Sequence, residues 1–139
     1  MGSIIAVDSM IFIYLFEDDA RFIDKVHPIL KKAESGKSTL ITSIISIAET
    51  LSPTKYLIDK ITPMKIQQFF RESQGLTIFP VDWNIALEAA LLRQKHRFLK
   101  TPDAIQIATA IVHEADTFIT NDLKLKRLSL PGLTIQTLF

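Results

Sequence analysis

Ile4-Ile5-Ala6-Val7-Asp8-Ser9 is a short, β-branched apolar run that stops at an acid and a hydroxyl. Such a run reads as a strand buried on both faces, since a strand with one wet face would alternate apolar and polar residues. Residues 39–42, 76–79 and 117–120 repeat the pattern, and residues 133–137 can form a fifth strand after the Pro131-Gly132 turn. Helical signals fill the gaps between them. From about Arg21, the residues Phe22, Ile23, Val26, Ile29, Leu30 and Ala33 fall at helical spacing, with Gly36 as the stop. Residues 43–51 read as a helix ended near Pro53. Thr62-Pro63 looks like an N-cap followed by proline at the first helical position, opening a helix that reaches Ser73 and ends by Gly75. Asp82 can cap a helix running to about Arg97, and Thr101-Pro102 repeats the cap-and-proline signal for a helix through Val112. A short helical piece is expected at 124–128, and an apolar stretch at 10–16 breaks at the acidic residues 17–19. Strands alternating with helices argue an α/β fold with a mainly parallel sheet covered on both faces. No repeat, low-complexity tract or long linker interrupts the pattern, so one domain is expected over residues 1–139.

Composition narrows the function classes. A chain of 139 residues buries roughly 68% of its unfolded surface, enough for one core. With 47% hydrophobic and 22% charged residues it is neither disordered nor collagen-like. No apolar run reaches the ~18 residues of a membrane span. Met1-Gly2-Ser3 offers no basic region leading into a long apolar segment, so no signal peptide is expected. The absence of cysteine excludes disulfides, thiolate catalysis and sulfur-ligated zinc, and makes a reducing cytoplasm the expected location. Net charge is +1, yet Arg93, Lys95, Arg97, Lys100, Lys124, Lys126 and Arg127 outnumber the acids between 93 and 127. That stretch can face phosphates, or can be a solvated helix surface.

In an open α/β sheet, ligands bind beyond the carboxyl ends of the strands, where the strand order reverses. Four acids fall near such ends: Asp8 after strand one, Glu49 in the helix after strand two, Asp103 opening the helix before strand four, and Asp122 just after strand four. Each also has a purely structural use. Asp103 can answer a helix dipole, Asp122 can cap the next helix, Glu49 can sit on an exposed face, and Asp8 can end its strand on backbone donors. Four carboxylates in one cleft would repel one another unless a cation joined them, and hard Mg²⁺ or Mn²⁺ suits all-oxygen ligands. Such an ion supports phosphodiester hydrolysis, with a basic surround for a polyanionic substrate.

With these residues in place the chain resembles the PIN-domain nucleases, especially the small VapC-like toxins of bacterial toxin–antitoxin pairs. The similarity spans nearly the whole chain. Its most specific part is Thr101-Pro102-Asp103-Ala104-Ile105-Gln106-Ile107-Ala108-Thr109-Ala110, followed by Ala6-Val7-Asp8-Ser9 with Ile11-Phe12-Ile13-Tyr14, and by Phe118-Ile119-Thr120-Asn121-Asp122. The resemblance implies a PIN-like three-layer α/β/α fold around a parallel sheet of about five strands. It also implies a metal-dependent endoribonuclease, usually homodimeric, and, if toxin-like, inhibition by a cognate antitoxin of a type II pair. The family's acidic quartet, which binds Mg²⁺ or Mn²⁺, falls on Asp8, Glu49, Asp103 and Asp122; its supporting hydroxyls fall on Ser9 and Thr120. Met10 departs from the family, which commonly has asparagine there, and a thioether lacks the amide's donor and strong acceptor. Arg97 and Lys126 are the residues expected to hold RNA phosphates.

Other signals fall away. His27, His96 and His113 have no paired metal spacing, and Phe69, Phe70, Trp83 and Tyr14 sit in helical patterns that suit a core or an interface. Four glycines build no phosphate loop, and Ser9 and Ser43 lack a nucleophile-elbow context. A phosphoaspartate receiver expects a lysine where Gln136-Thr137 stands, and a dehalogenase-like phosphatase expects an aspartate at Met10. Two alternatives to the toxin remain: a catalytically weakened PIN-fold protein that binds RNA or a partner, and a housekeeping RNA-processing nuclease.

Overall fold

The structure is a computed structural model describing residues 2–138. Five strands form one sheet: β1 (Ser3–Val7), β2 (Ser38–Ser43), β3 (Leu76–Phe79), β4 (Thr117–Thr120) and β5 (Thr134–Thr137). All four strand pairings are parallel, in the order β3-β2-β1-β4-β5. Six helices connect them: α1 (Ser9–Glu17), α2 (Ile23–Glu34), α3 (Ile45–Leu51), α4 (Ile61–Glu72), α5 (Trp83–Lys95) and α6 (Thr101–Val112). The α/β architecture expected from the alternation is the one observed.

Neighbouring strand residues divide between two cores, as the two-residue period of a strand requires. Ala6, Ile41 and Phe118 join Ile85, Ala89, Ala104 and Ile107 beneath α5 and α6. Val7, Leu40 and Ile119 turn the other way, onto Ile11, Phe12, Val26, Ile66 and Phe70 of α1, α2 and α4. Phe12 is fully buried, with edge-on rings of Phe70 at 4.9 Å and Phe69 at 6.0 Å. Truncating a phenylalanine so placed costs about 3–5 kcal/mol.

Helix starts depart from two sequence expectations. Thr62 does not cap α4: Lys60 holds the cap position with no side-chain bond, and the carboxylate of Asp59, one residue earlier, accepts from the amides of Ile61 at 3.0 Å and Thr62 at 3.1 Å. Thr101 is likewise the first residue inside α6 rather than its cap, and Lys100 holds the cap position with no side-chain bond. Asp82 caps α5 as expected, accepting from Ile85 N at 2.9 Å. The stretch at 10–16 is α1, reached directly from β1. Gly75, with φ +77°, lies so close to the Ala33 carbonyl that a Cβ there would collide with it, which fixes how β3 meets the end of α2.

The chain steps outward from β1 to β2 and β3, then crosses back to β4 on the other flank of β1. Order reverses between β1 and β4, so a crevice opens beyond their carboxyl ends. No helix among the described residues is long and apolar enough to cross a membrane.

Candidate active site

Asp8 leaves β1 at that crevice and caps α1. Its Oδ1 accepts from Ser9 N at 2.8 Å and Ser9 Oγ at 3.4 Å, and its Oδ2 accepts from Thr120 Oγ1 at 2.8 Å. Only 5% of Asp8 is exposed. Burial pushes its carboxyl up to about 6; the Thr120 hydroxyl and Ser9 amide oppose the rise, while Asp103 and Glu49 add to it. Asp103, in the first turn of α6, is raised by burial and then by Asp122 and Glu49, and is held down by Lys100 and Lys124. Asp122 follows β4: its amide donates to Thr120 Oγ1 at 3.1 Å, and its Oδ1 accepts from Lys124 N at 3.1 Å. Thr120 therefore bridges Asp8 and the Asp122 backbone with one hydroxyl. Glu49, half-buried on α3, completes the group through its repulsion with Asp8 and Asp103.

These mutual effects bring all four predicted acids to one edge of the sheet. No three acidic or histidine side chains among the described residues are already gathered tightly enough to cage an ion. The donor set still fits a hard cation. Asp8 is buried beside two other carboxylates with only neutral donors on its oxygens, so near neutrality its charge is poorly supported. Mg²⁺ needs only one or two direct carboxylates and keeps waters for the rest of its shell.

Met10 is not the polar gap that its sequence suggested. Its sulfur accepts from Asn121 N at 2.9 Å, with Tyr14 Oη at 3.9 Å and Thr120 Oγ1 at 4.0 Å. Asn121 in turn donates from Nδ2 to Tyr14 Oη at 3.1 Å. The thioether supplies an acceptor where an amide would.

A buried polar network, not foreseen in the sequence, lies under the acids. Thr42, Ser43, Ser46 and Gln106 are each at most 2% exposed. Thr42 Oγ1 donates to the Val7 carbonyl at 2.8 Å and pairs with Ser46 Oγ at 2.7 Å. Gln106 Nε2 donates to Ser46 Oγ at 2.8 Å, and Gln106 Oε1 accepts from Ser43 N at 3.4 Å. Val7 precedes Asp8, Ser46 lies one helical turn before Glu49, and Gln106 one turn after Asp103. The network thus ties together the three elements that carry those acids. The available signal was a glutamine inside the apolar stretch 104–110.

Arg97 and Lys126 are exposed. Arg97 borders a shallow hollow with Arg93 and Gln94, whereas the cleft holding Asp103 and Asp122 is lined by Lys100 and Lys124.

A family model described as PIN domain matches residues 5–130. Among solved structures the chain is similar to VapBC2 from Rickettsia felis bound to a DNA fragment from their promoter, with a TM-score of 0.72 and 22% identity over 96% of this chain and 98% of that one. It is also similar to a toxin–antitoxin complex from Klebsiella pneumoniae, at TM-score 0.61 and 26% identity over 93% and 94% of the two chains. VapBC-1 from nontypeable Haemophilus influenzae aligns at TM-score 0.65 and 19% identity over 97% and 98%. No curated protein matches the chain.

Proposed function

The chain belongs to the PIN-domain family, and on that premise we propose that it is a metal-dependent endoribonuclease, the toxin of a type II toxin–antitoxin pair. The observation that carries this reading is the convergence of Asp8, Glu49, Asp103 and Asp122 on the crevice between β1 and β4, with Asp8 buried and short of positive charge. Asp8, Asp103 and Asp122 would hold Mg²⁺ or Mn²⁺, with Glu49 acting directly or through water. When bound, the ion would neutralise the carboxylates, offset charge on the phosphodiester and make water more acidic.

The chain's own residues do the rest. Ser9 and Thr120 orient Asp8 through its two oxygens, and their donations favour its ionised form. The Gln106–Ser46–Thr42 network holds β1, α3 and α6 in register, so the backbone beneath the acids is fixed and only their side chains need close on an ion.

Partners follow from the surface and from the relatives. Leu57, Ile58, Ile61 and Met64 form one exposed apolar group, and Trp83, Leu87 and Leu91 line a second along α5. Each supplies area that a protein partner would cover, fitting a second copy of the chain and a cognate antitoxin. The toxin–antitoxin complexes similar in fold support this assignment. The absence of cysteine suits work in the cytoplasm.

The test is cleavage of structured and unstructured RNAs by purified protein with Mg²⁺ or Mn²⁺, with EDTA and Asp103→Asn as controls. Cleavage that survives chelation would overturn the metal mechanism. A chain that binds RNA under the same conditions without cutting it would be a binding protein instead.

A further inference from the structure

Asp103 and Asp122 share their cleft with two ammonium groups and an aromatic ring. Phe98, Lys100, Asp103, Asp122, Lys124 and Leu125 line a volume of about 110 Å³. That is space for roughly four waters at the ~30 Å³ each takes in the liquid, enough for one phosphodiester group with its base left at the rim.

The backbone explains why these side chains meet. After α5 ends at Lys95, Leu99 turns into the core at 2% exposure; its amide donates to His96 O at 3.0 Å and its carbonyl accepts from Arg93 Nε at 3.2 Å. With Leu99 inward, its neighbours Phe98 and Lys100 are turned outward, Phe98 being 37% exposed. Across the cleft, the turn begun by Asp122 delivers Lys124. Arg127 places its guanidinium 5.5 Å from the Phe98 ring centroid and braces it. Although both lysines line the cleft beside Asp103 and Asp122, neither is ion-paired with a carboxylate; the pairs among the described residues are Arg21–Asp19 and Lys55–Glu17. Their donors are free for an incoming anion.

We infer that Phe98, Lys100 and Lys124 form a nucleotide subsite beside the carboxylates, in which the ammonium groups hold one phosphate of single-stranded RNA and the neighbouring unpaired base stacks on Phe98. This rests on the nuclease reading above. Stacking accepts any base but requires it to be unpaired, so the subsite selects strand state and sets the register of the cut, not the sequence.

The test separates binding from cleavage. In EDTA, where no cutting is expected, a short unstructured RNA is titrated against the parent, Phe98→Ala, Phe98→Tyr, Lys100→Ala and Lys124→Ala, with Lys32→Ala on α2 as a charge control. The inference expects Phe98→Ala to weaken binding about tenfold, the loss of one base stack, and Phe98→Tyr to restore it. Lys100→Ala and Lys124→Ala should each flatten the log–log salt slope by about 0.7, the share of one phosphate contact on a single strand. With metal added, KM should rise while kcat changes little. Binding and salt slopes equal to those of the parent in all three alanine variants would overturn the subsite, whether or not the parent cleaves. A parent that fails to cleave any RNA would overturn the nuclease reading, and the EDTA titration would still decide the subsite.

Discussion

Replacing Asp8 by asparagine should make the metal-free protein more stable at neutral pH while abolishing most of its activity. Burial raises the Asp8 carboxyl from its ordinary 3.8 to about 6. Asp8 therefore binds its proton more tightly in the folded protein than in the unfolded chain, and protonation favours folding. Stability falls as pH climbs from about 4 to about 6, and the loss is complete above that window. At about 1.36 kcal/mol per tenfold change in proton affinity, the loss is about 3 kcal/mol. Asparagine removes the charge and can keep its oxygen on Ser9 N, but its NH₂ would face the Thr120 hydroxyl, which must turn round. Allowing about 1 kcal/mol for that, Asp8→Asn should gain about 2 kcal/mol at pH 7.5 and lose up to about 1 kcal/mol at pH 4, where the charge penalty of the parent has all but vanished. For a chain of this size the gain at pH 7.5 is about 8 °C in Tm. The assay is a set of thermal melts in EDTA between pH 4 and 8, followed by melts with Mn²⁺, which should raise the parent and leave the variant unmoved. A Tm difference of the same size at pH 4 and pH 7.5 would show that Asp8 carries no buried charge, and the argument for a cation there would fall with it.

Gln106→Leu strands the partners of a buried amide and should cost about 1–3 kcal/mol in denaturant melts; kcat should drop with KM for RNA little changed, because the acids shift and the substrate contacts do not. Thr120→Val removes the donation to Asp8 Oδ2, which now lowers that carboxyl. The acid limb of the pH–rate profile should therefore move to higher pH, and a limb unmoved by the change would remove Thr120 from the site. Met10→Asn keeps an acceptor for the Asn121 amide, which the thioether already supplies; Tm and cleavage should both hold, whereas a Tm loss at unchanged rate would show the thioether to be a packing residue.

The first four strands were legible because a parallel strand covered on both sides must be a short apolar run, and such runs are bounded here by Asp8-Ser9, Gly75 and Asn121-Asp122; β5, Thr-Ile-Gln-Thr, was marked chiefly by the Pro131-Gly132 turn before it. Asp8 and Asp122 were legible because each stands next to such a boundary, whereas Asp103 and Glu49 lie inside helices and were picked out by the resemblance of the motif order to the family. What escaped has a physical cause in each case. Residues 10–16 are apolar all round, so no helical stripe marks α1. Thr62-Pro63 imitates a cap, but Asp59 reaches the free amides first. The sulfur of Met10 finds its donor 111 residues away, and Gln106 and Ser46 bond across helices, so neither local pattern nor spacing shows them. Because α5 ends at Lys95 rather than near Arg97, residue 97 falls in the connection after the helix, and the cleft beside Asp103 is lined by Lys100.

The hydroxyl of Thr120 reaches Asp8 across 112 residues of chain. Along the chain Asp8, Glu49 and Asp103 all precede β4, which carries Thr120, and the turn that carries Asp122. Until β4 pairs with β1, Asp8 Oδ2 lacks its hydroxyl donor and one of the other three acids, Asp122, is not yet in place. The central β1–β4 pairing thus couples the grouping of the acids to the closing of the sheet. Strand β4 sends Phe118 into one core and Ile119 into the other, so the acids come together only in a chain whose two cores have closed around it.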